Sequence, residues 1–195
     1  MGEAHFVLRK VLHAFLGLLT LFLALEIWTQ LKVIIFRWVL IGALLLFLLI
    51  DYLRIERGWK FPLYAETAKD HEQRNLHAMT YGVIGTVLAF SLFDFTIALA
   101  ALAMLYFGDP ASALTGKYFG KTKLFRNKTL QGSLAMLLIS FICGYVLLSS
   151  WKLTAMMALT ATGTELLADR IDDNLVVPIT TGAVGSFFSI LWMVP

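Results

Sequence analysis

Long apolar runs bounded by polar residues constrain this chain more than any other feature of its sequence. The seven candidate membrane spans are Val11–Trp28, Val33–Ile50, Leu76–Phe93, Phe95–Phe107, Leu130–Ser149, Leu153–Ala168 and Val176–Val194. Several are long enough to cross a hydrocarbon layer of ~30 Å, which takes roughly 20 helical residues. The composition, 59% hydrophobic and 15% charged, is too apolar for an ordinary soluble domain. We predict an all-α integral membrane protein with about seven transmembrane helices.

Two details of these spans can be read directly from the chain. Asp94 alone separates the third and fourth runs, which together are too long for one span and fit two helices joined by a tight turn. The fourth run is short, and we predict that its helix continues through Pro110 toward Gly116, with a kink that neighbouring helices make tolerable. We interpret the first run as a membrane helix rather than a cleavable signal peptide, because it is too long and has no clear cleavage site.

Lysine and arginine are distributed unequally between the two sides of the predicted membrane. With seven spans, the N-terminus and the polar segments Asp51–Asn75, Gly108–Thr129 and Asp169–Asn174 share one side. That side carries Arg9, Lys10, Arg54, Arg57, Lys60, Lys69, Arg74, Lys117, Lys121, Lys123, Arg126, Lys128 and Arg170, and the other carries Lys32, Arg37 and Lys152. Because cytoplasmic loops are enriched in Lys and Arg, we predict a cytoplasmic N-terminus and a cytoplasmic site, in a plasma membrane or an endoplasmic reticulum.

The central polar segment combines glycines with five cations, and this mixture suits a polyphosphate because glycines expose backbone N–H groups. Gly120-Lys121-Thr122 resembles the end of a P-loop. Gly116 is one residue too close for that motif and no strand precedes it, so we reject a P-loop. A cytoplasmic loop that contacts anionic lipid head groups has the same composition, and both interpretations stay open at this point.

Carboxylates concentrate before the last span. Glu165 lies within an apolar run, where an ionisable side chain is costly and usually functional. On one continuous helix, Glu165, Asp169, Asp172 and Asp173 fall at i, i+4, i+7 and i+8 and share a face. We interpret Asp169 as part of an acidic helix end. We predict that Glu165, Asp172 and Asp173 approach a cation, because clustered carboxylates repel each other without one and Mg²⁺ takes oxygen ligands.

Two further charged sets lie at the same membrane level. Arg9, Lys10 and His13 lie within one turn at the start of the first span, and taken alone they are explained as a cytoplasmic anchor. Asp51 and Arg54 end the second span, and we interpret them as a local ion pair that contributes little to stability.

These groups together predict a cytoplasmic interface that holds Mg²⁺, phosphates and a lipid. Phosphoryl transfer to a membrane alcohol requires such an interface, because its catalysis is mostly positioning and neutralisation of phosphate charge. A CDP-lipid synthase needs the same metal and nucleotide and stays an alternative. A small membrane transporter is an alternative of another class, but it needs charge near the bilayer midplane, where these spans have almost none.

Six motifs follow one another along nearly the whole chain. They are Arg9-Lys10-x-x-His13-x-x-x-Gly17, Asp51-x-x-Arg54, Thr80-Tyr81-x-x-x-Gly85, Gly108-Asp109-x-Ala111-x-Ala113-x-x-Gly116-x-x-Phe119-Gly120, Lys128-Thr129-x-x-Gly132-Ser133, and Glu165 followed by Ile171-Asp172-Asp173-Asn174-Leu175-x-x-Pro178. In order and spacing the chain resembles the polyprenol kinase family, which contains dolichol kinase, phytol kinase and CTP-dependent diacylglycerol kinase. In the fifth motif the family is expected to have a glutamate before the glycine, and this chain has Gln131 before Gly132. The family is also similar to phosphatidate cytidylyltransferases, and Asp169-Arg170-x-Asp172 matches part of their signature.

The resemblance implies a single polytopic kinase domain over residues 1–195, with CTP as phosphate donor and Mg²⁺ as cofactor. The acceptor is then the hydroxyl of a membrane lipid alcohol: a polyprenol, a phytol-like prenol or diacylglycerol. The implied partners are a nucleoside triphosphate and a lipid from the bilayer, with no nucleic acid. The identity of the lipid and the oligomeric state stay open.

The same resemblance assigns expected roles to individual residues. The nucleotide would be held by Asp109, Gly116, Lys117, Lys128, Gly132 and Asn174, and the metal by Asp109, Asp172 and Asp173. The catalytic group would contain Asp173, with Arg9, Lys10 and His13 near the transferring phosphoryl group or the lipid hydroxyl. Glu165 is the first candidate for the general base.

Overall fold

The computed structural model describes residues 3–26, 30–67, 72, 74–168 and 171–192. Its helices are α1 (Glu3–Glu26), α2 (Gln30–Arg57), α3 (Pro62–Thr67), α4 (Ala78–Leu92), α5 (Phe95–Phe119), α6 (Leu130–Leu148), α7 (Trp151–Leu167) and α8 (Asp173–Trp192), and two short strands, β1 (Lys123–Phe125) and β2 (Lys128–Thr129), lie between α5 and α6. The chain is an all-α integral membrane protein, as predicted. Each predicted span corresponds to one helix, and α3 was not predicted.

Five of the described helices are long and apolar enough to cross a membrane, namely α1, α2, α5, α6 and α8. Helix α4 has 15 residues and α7 has 17, fewer than the roughly 20 that a full crossing takes. The count of seven spans therefore stays a prediction. Helix α5 runs on through Pro110 to Phe119, so the predicted continuation of the fourth helix is confirmed, and α4 and α5 meet at the predicted turn around Asp94.

The chain divides into two compact units, Met1–Val87 and Leu88–Pro195. In the first unit α3 packs against α1, and many large apolar side chains of α1 and α2 are exposed, among them Phe15, Phe22, Trp38 and Leu45. An outward-facing apolar surface of this kind suits contact with lipid chains. The prediction of a single domain over residues 1–195 stays a prediction.

In the second unit α5 is the central helix and packs against α6, α7 and α8. Its buried stretch from Ile97 to Tyr106 is rich in alanine, and small side chains let helix backbones approach closely. The surrounding helices expose large apolar residues such as Leu138 on α6 and Ile190 on α8. This unit therefore packs alanines and large apolar residues such as Met104 and Met136 inside and exposes further large apolar residues, as expected for helices surrounded by lipid.

The polar segment between α5 and α6 forms a hairpin that was not predicted. Its strands pair antiparallel, with Lys123 opposite Thr129 and Phe125 opposite Lys128. Arg126 turns the chain with a φ of 50°, a left-handed conformation that favours glycine or asparagine. The turn pair is Arg126-Asn127 and not the Asn-Gly or Asp-Gly pair that usually signals a hairpin. The side-chain oxygen of Gln131 accepts hydrogen bonds from the backbone N–H groups of Lys121 (3.0 Å) and Thr122 (3.3 Å). Gln131, which departs from the expected glutamate, thus anchors the hairpin to α6.

The interpretation of Glu165 and the following aspartates as one helical face is wrong. Helix α7 ends at Leu167, and Ala168 has extended backbone angles (φ −62°, ψ 119°). Helix α8 begins at Asp173, so the carboxylates belong to different elements and the i+4, i+7 and i+8 spacing does not apply. Asp169 lies outside the described residues. No glycine or proline marks this break in the sequence, which is why the helical spacing appeared continuous.

Candidate active site

An ion pair between Lys128 and Glu165 forms the centre of the candidate site in the second unit. Glu165 lies on α7 with its side chain 1% exposed, and Lys128 reaches it from β2 with its side chain 34% exposed. The Nζ of Lys128 donates to Oε1 of Glu165, and the Ser112 hydroxyl on α5 donates to the same oxygen at 3.3 Å. The other oxygen, Oε2, is buried and has no hydrogen-bond partner among the described residues. One carboxylate oxygen is therefore anchored while the other can still accept a hydrogen bond.

Two more predicted residues act electrostatically on this pair. Burial by itself would lower the pKa of Lys128, but the charge and hydrogen bond of Glu165, together with the charges of Asp173 and Asp109, raise that pKa above its ordinary value. Lys128 therefore stays positively charged at neutral pH. The fold brings Asp109 of α5, Lys128 of β2, Glu165 of α7 and Asp173 of α8 close enough to act on one another electrostatically, and their predicted roles stay predictions.

Asp172 and Asn174 are joined by hydrogen bonds at the beginning of α8. Oδ1 of Asp172 accepts hydrogen bonds from the backbone N–H of Asn174 at 3.0 Å and from its side-chain amide at 2.7 Å. This is the arrangement of a helix N-cap, in which a side-chain oxygen binds an otherwise unpaired N–H. The contact gives Asp172 a structural role at the helix start and holds Asn174, which is 4% exposed, beside Asp173.

The metal prediction can be compared with the donor atoms present. Within the described part of the chain, no three His, Cys, Asp or Glu side chains converge closely enough to hold a metal ion by themselves. Mg²⁺ in phosphoryl-transfer sites is commonly held by one or two carboxylates plus substrate phosphates. The carboxylates of Asp109 and Asp173, whose charges both act on Lys128, fit such a shared site. Metal binding by Asp109, Asp172 and Asp173 stays a prediction.

Gly116 and Gly132 have a packing role that the sequence interpretation did not include. A methyl group added to Gly132 would lie 2.8 Å from the carbonyl oxygen of Ser112 and 3.3 Å from the Cα of Gly116. The two glycines thus allow α5 and α6 to approach at the level of the candidate site. Lys117 lies on the last turn of α5, exposed, with its Nζ 5.3 Å from the centre of the Tyr118 ring.

In the first unit, Arg9 is part of a buried polar network. Its guanidinium donates to Oε1 of Glu72 at 2.9 Å and to the backbone carbonyl of Thr67 at 3.0 Å. Nε2 of His77 lies 3.5 Å from Oε2 of Glu72. Glu72 and His77 were not predicted, because Glu72 meets Arg9 and His77 meets Glu72 only in the folded chain. Lys10 and His13 lie half-buried on α1, and their predicted roles stay predictions.

The interpretation of Asp51 and Arg54 as an ion pair that contributes little to stability is wrong. The pair forms, with 2.7 Å between Nη2 of Arg54 and Oδ1 of Asp51, but Asp51 is fully buried. Its other oxygen accepts hydrogen bonds from the Thr80 hydroxyl at 2.5 Å and from the backbone N–H of His77 at 3.0 Å. Arg54 also donates to the backbone carbonyls of Glu72 (2.7 Å) and Asn75 (2.6 Å). The motifs Asp51-x-x-Arg54 and Thr80-Tyr81-x-x-x-Gly85 therefore meet in one hydrogen-bond network. This network also binds the backbone of the segment before α4.

Comparison with known proteins gives three informative relatives. The chain is 29% identical to CTP-dependent diacylglycerol kinase 1 of Saccharomyces cerevisiae over 150 residues, which cover 73% of this chain and 50% of the yeast protein. It is 30% identical to the protein of the same name from Eremothecium gossypii over 144 residues, 71% of this chain and 44% of that protein. Phytol kinase 1, chloroplastic, of Arabidopsis thaliana is 33% identical over 103 residues, 44% of this chain and 34% of the plant protein.

The chain spans about half the length of the diacylglycerol kinases that it matches. No family model matches it, and no solved structure matches it either.

Proposed function

Because this chain belongs to the polyprenol kinase family, we propose that it is a CTP-dependent kinase that phosphorylates the hydroxyl of a membrane lipid alcohol. The relatives are named for diacylglycerol and for phytol, so both a glycerolipid and a prenol are candidate acceptors. The observation that carries the proposal is the buried Glu165–Lys128 pair with Asp109 and Asp173 beside it. Charge of both signs is concentrated there next to lipid-facing helices, as phosphoryl transfer to a lipid requires.

Lys128 and Lys117 are the residues that would hold the triphosphate. Lys128 keeps its charge at neutral pH, since the neighbouring carboxylates raise its pKa, and its side chain is partly exposed. Lys117 is exposed on the last turn of the central helix. Two cations on separate elements can neutralise charge on different phosphates, and preorganised charge of this kind is a main source of catalysis in phosphoryl transfer.

Glu165 is the proposed general base. The lipid oxygen attacks the γ-phosphorus of CTP, the bond from that phosphorus to the bridging oxygen breaks, and CDP leaves. The hydroxyl proton moves to Oε2 of Glu165, the oxygen that accepts no hydrogen bond from the described residues. Lys128 and Ser112 hold Oε1 during this step, so the orientation of the carboxylate is set before the lipid arrives.

Asp109 and Asp173 are the residues that would hold Mg²⁺, with Asp172 reaching it directly or through water. When bound, the metal neutralises charge on the phosphate oxygens. Asn174, fixed by its bonds to Asp172, would orient a phosphate or a neighbouring carboxylate. We place this site on the cytoplasmic side, as the distribution of Lys and Arg predicts.

The proposal is tested by offering the purified protein γ-labelled CTP or γ-labelled ATP with Mg²⁺, together with diacylglycerol, phytol or a longer polyprenol. We expect label to move from CTP into a lipid, CDP to be released, and transfer to stop when the metal is chelated. A CDP-lipid synthase would instead release labelled pyrophosphate when given phosphatidic acid or a prenyl phosphate. That result, or transfer from ATP alone, would contradict the proposal.

A further inference from the structure

A cavity of about 510 Å³ lies in the second unit, between the hairpin turn and the junction of α7 with α8. Its volume falls within the range of about 300–1,000 Å³ that is typical of small-molecule sites. Its walls include Phe125, Arg126, Thr164, Leu167, Ile171 and Val176. Most of these side chains are apolar, so the cavity suits an apolar ligand.

The cavity lies beside the hairpin and α7, the two elements that carry Lys128 and Glu165, although neither of these residues lines it. Phe125 lines the cavity and is the residue paired with Lys128 across the hairpin. Thr164 lines it from α7 and directly precedes Glu165. A ligand in the cavity would therefore contact the same two elements, the hairpin and α7, that hold Lys128 and Glu165.

The exposure of its walls indicates what kind of ligand fits. Leu167 is 66% exposed, Ile171 is 57% exposed and Phe125 is 40% exposed. Exposed apolar side chains in a membrane protein suit contact with hydrocarbon chains, and one such chain would cover all three. The polar groups of the wall are few: the Arg126 guanidinium, and the Thr164 hydroxyl, which already contacts the hydroxyl of Thr180 at 3.0 Å. A cytosine base needs several matched hydrogen-bond partners, more than these two side chains of the described wall offer.

We propose that this cavity binds the hydrocarbon chain beside the reacting hydroxyl of the lipid alcohol, with the hydroxyl directed toward Glu165. The inference rests on the proposed kinase function and adds the place where the acceptor lipid binds. It assigns Leu167 and Ile171 as residues that determine acceptor binding without taking part in the chemistry. Filling the cavity should then weaken lipid binding and leave CTP binding unchanged.

The test uses the full chain in detergent with photoreactive analogues of diacylglycerol and of a prenol, and maps the crosslinks by mass spectrometry. We expect label on the described residues of the wall, in the ranges 125–126, 164–168 and 171–176. Leu167→Trp and Ile171→Trp should each reduce this label and raise the KM for the acceptor about tenfold, with the KM for CTP unchanged. Leu159→Trp is the matched control, because Leu159 is also exposed on α7 but does not line the cavity.

Four results separate the cavity assignment from the proposed function. Crosslinks elsewhere, with normal transfer from CTP, would overturn the cavity assignment and leave the kinase proposal standing. Competitive displacement of the lipid label by CTP would also overturn it, since the cavity would then hold the nucleotide. An unchanged acceptor KM in both folded tryptophan variants would contradict it as well. Label in the cavity without phosphate transfer to any lipid would support the lipid site and overturn the proposed kinase function.

Discussion

Lys128 and Glu165 are 37 residues apart in the chain, and their side chains form an ion pair in which the carboxylate is almost completely buried. A buried carboxylate is costly unless a cation and hydrogen bonds compensate it. Here Lys128 and Ser112 compensate only Oε1, and Oε2 is left for another donor. This asymmetry gives Glu165 its proposed catalytic role and leads to the first prediction.

Glu165→Gln should lower kcat by about 10²–10⁴-fold, the usual contribution of a general base, while the protein stays folded. The glutamine oxygen can still accept hydrogen bonds from Lys128 and Ser112, so the local packing is conserved. The measurement is the rate of transfer from γ-labelled CTP at saturating lipid, with Glu56→Gln as the control on an exposed carboxylate. A variant with normal kcat would show that Glu165 is not the base.

Asp173→Asn should abolish transfer, because the amide cannot replace the negative charge that we propose for Mg²⁺ binding. The thermal unfolding temperature should change little, since Asp173 interacts with the N-terminal end of α8 by only about 0.3–1 kcal/mol. The exposed Asp94 at the turn before α5 provides the control Asp94→Asn, which should keep its activity. Normal turnover of Asp173→Asn across a Mg²⁺ titration would contradict the metal assignment.

Gly132→Ala should destabilise the protein by about 1–3 kcal/mol, because the added methyl group would lie 2.8 Å from the carbonyl oxygen of Ser112. Gly163→Ala is the matched control: nothing lies within 4 Å of its added methyl group, and alanine in a helix is favoured over glycine by about 1 kcal/mol. Urea unfolding in detergent measures both. If Gly132→Ala unfolds like the wild type but binds CTP weakly, the glycine serves the nucleotide rather than the helix contact.

Thr80→Val should destabilise the first unit by about 1.5–3 kcal/mol, because it removes the hydroxyl that donates to the buried carboxylate of Asp51 at 2.5 Å. Valine keeps the shape of threonine, so the loss reports the hydrogen bond. Thr80→Ser restores the donor and should recover most of the stability. Equal unfolding free energies for the valine and serine variants would show that this hydrogen bond does not stabilise the protein.

The stability of the protein should fall as the pH drops from 6.5 to 4, because of His77 in the segment between α3 and α4. Burial lowers the pKa of His77 from 6.5 to about 4, although the charge of Glu72 opposes this effect. The Met79 N–H donates to Nδ1 of the ring at 3.2 Å, so the neutral ring carries its proton on Nε2. Over this pH range the unfolded chain binds a proton that the folded protein does not, which removes up to about 3 kcal/mol.

Unfolding free energies at pH 7.5 and pH 4.5 measure this effect. The variant His77→Gln cannot titrate, and its stability should depend less on pH over the same range. A wild-type protein and a His77→Gln variant with the same pH dependence would show that His77 is not the titrating group.

The sequence by itself determined the membrane class, the position of each long helix and the residue types of the candidate site. Apolar runs suffice for this, because each residue in a run contributes to the same local property. The continuation of α5 through Pro110 and the turn at Asp94 were predicted for the same reason. The short helix α3 and the hairpin were not, since Pro62–Thr67 is too short for periodicity and the Arg126 turn lacks the usual residues.

Only the tertiary structure decided which polar side chains meet. Lys128 reaches Glu165 from the hairpin, Glu72 meets both Arg9 and His77, and Gly132 faces α5. The break between α7 and α8 separated Glu165 from Asp173 along the helix, and packing around α5 then brought both carboxylates near Lys128. Spacing along a chain predicts neighbours only within one continuous element. Contacts between distant elements depend on how those elements pack, and the sequence of each element alone does not contain that information.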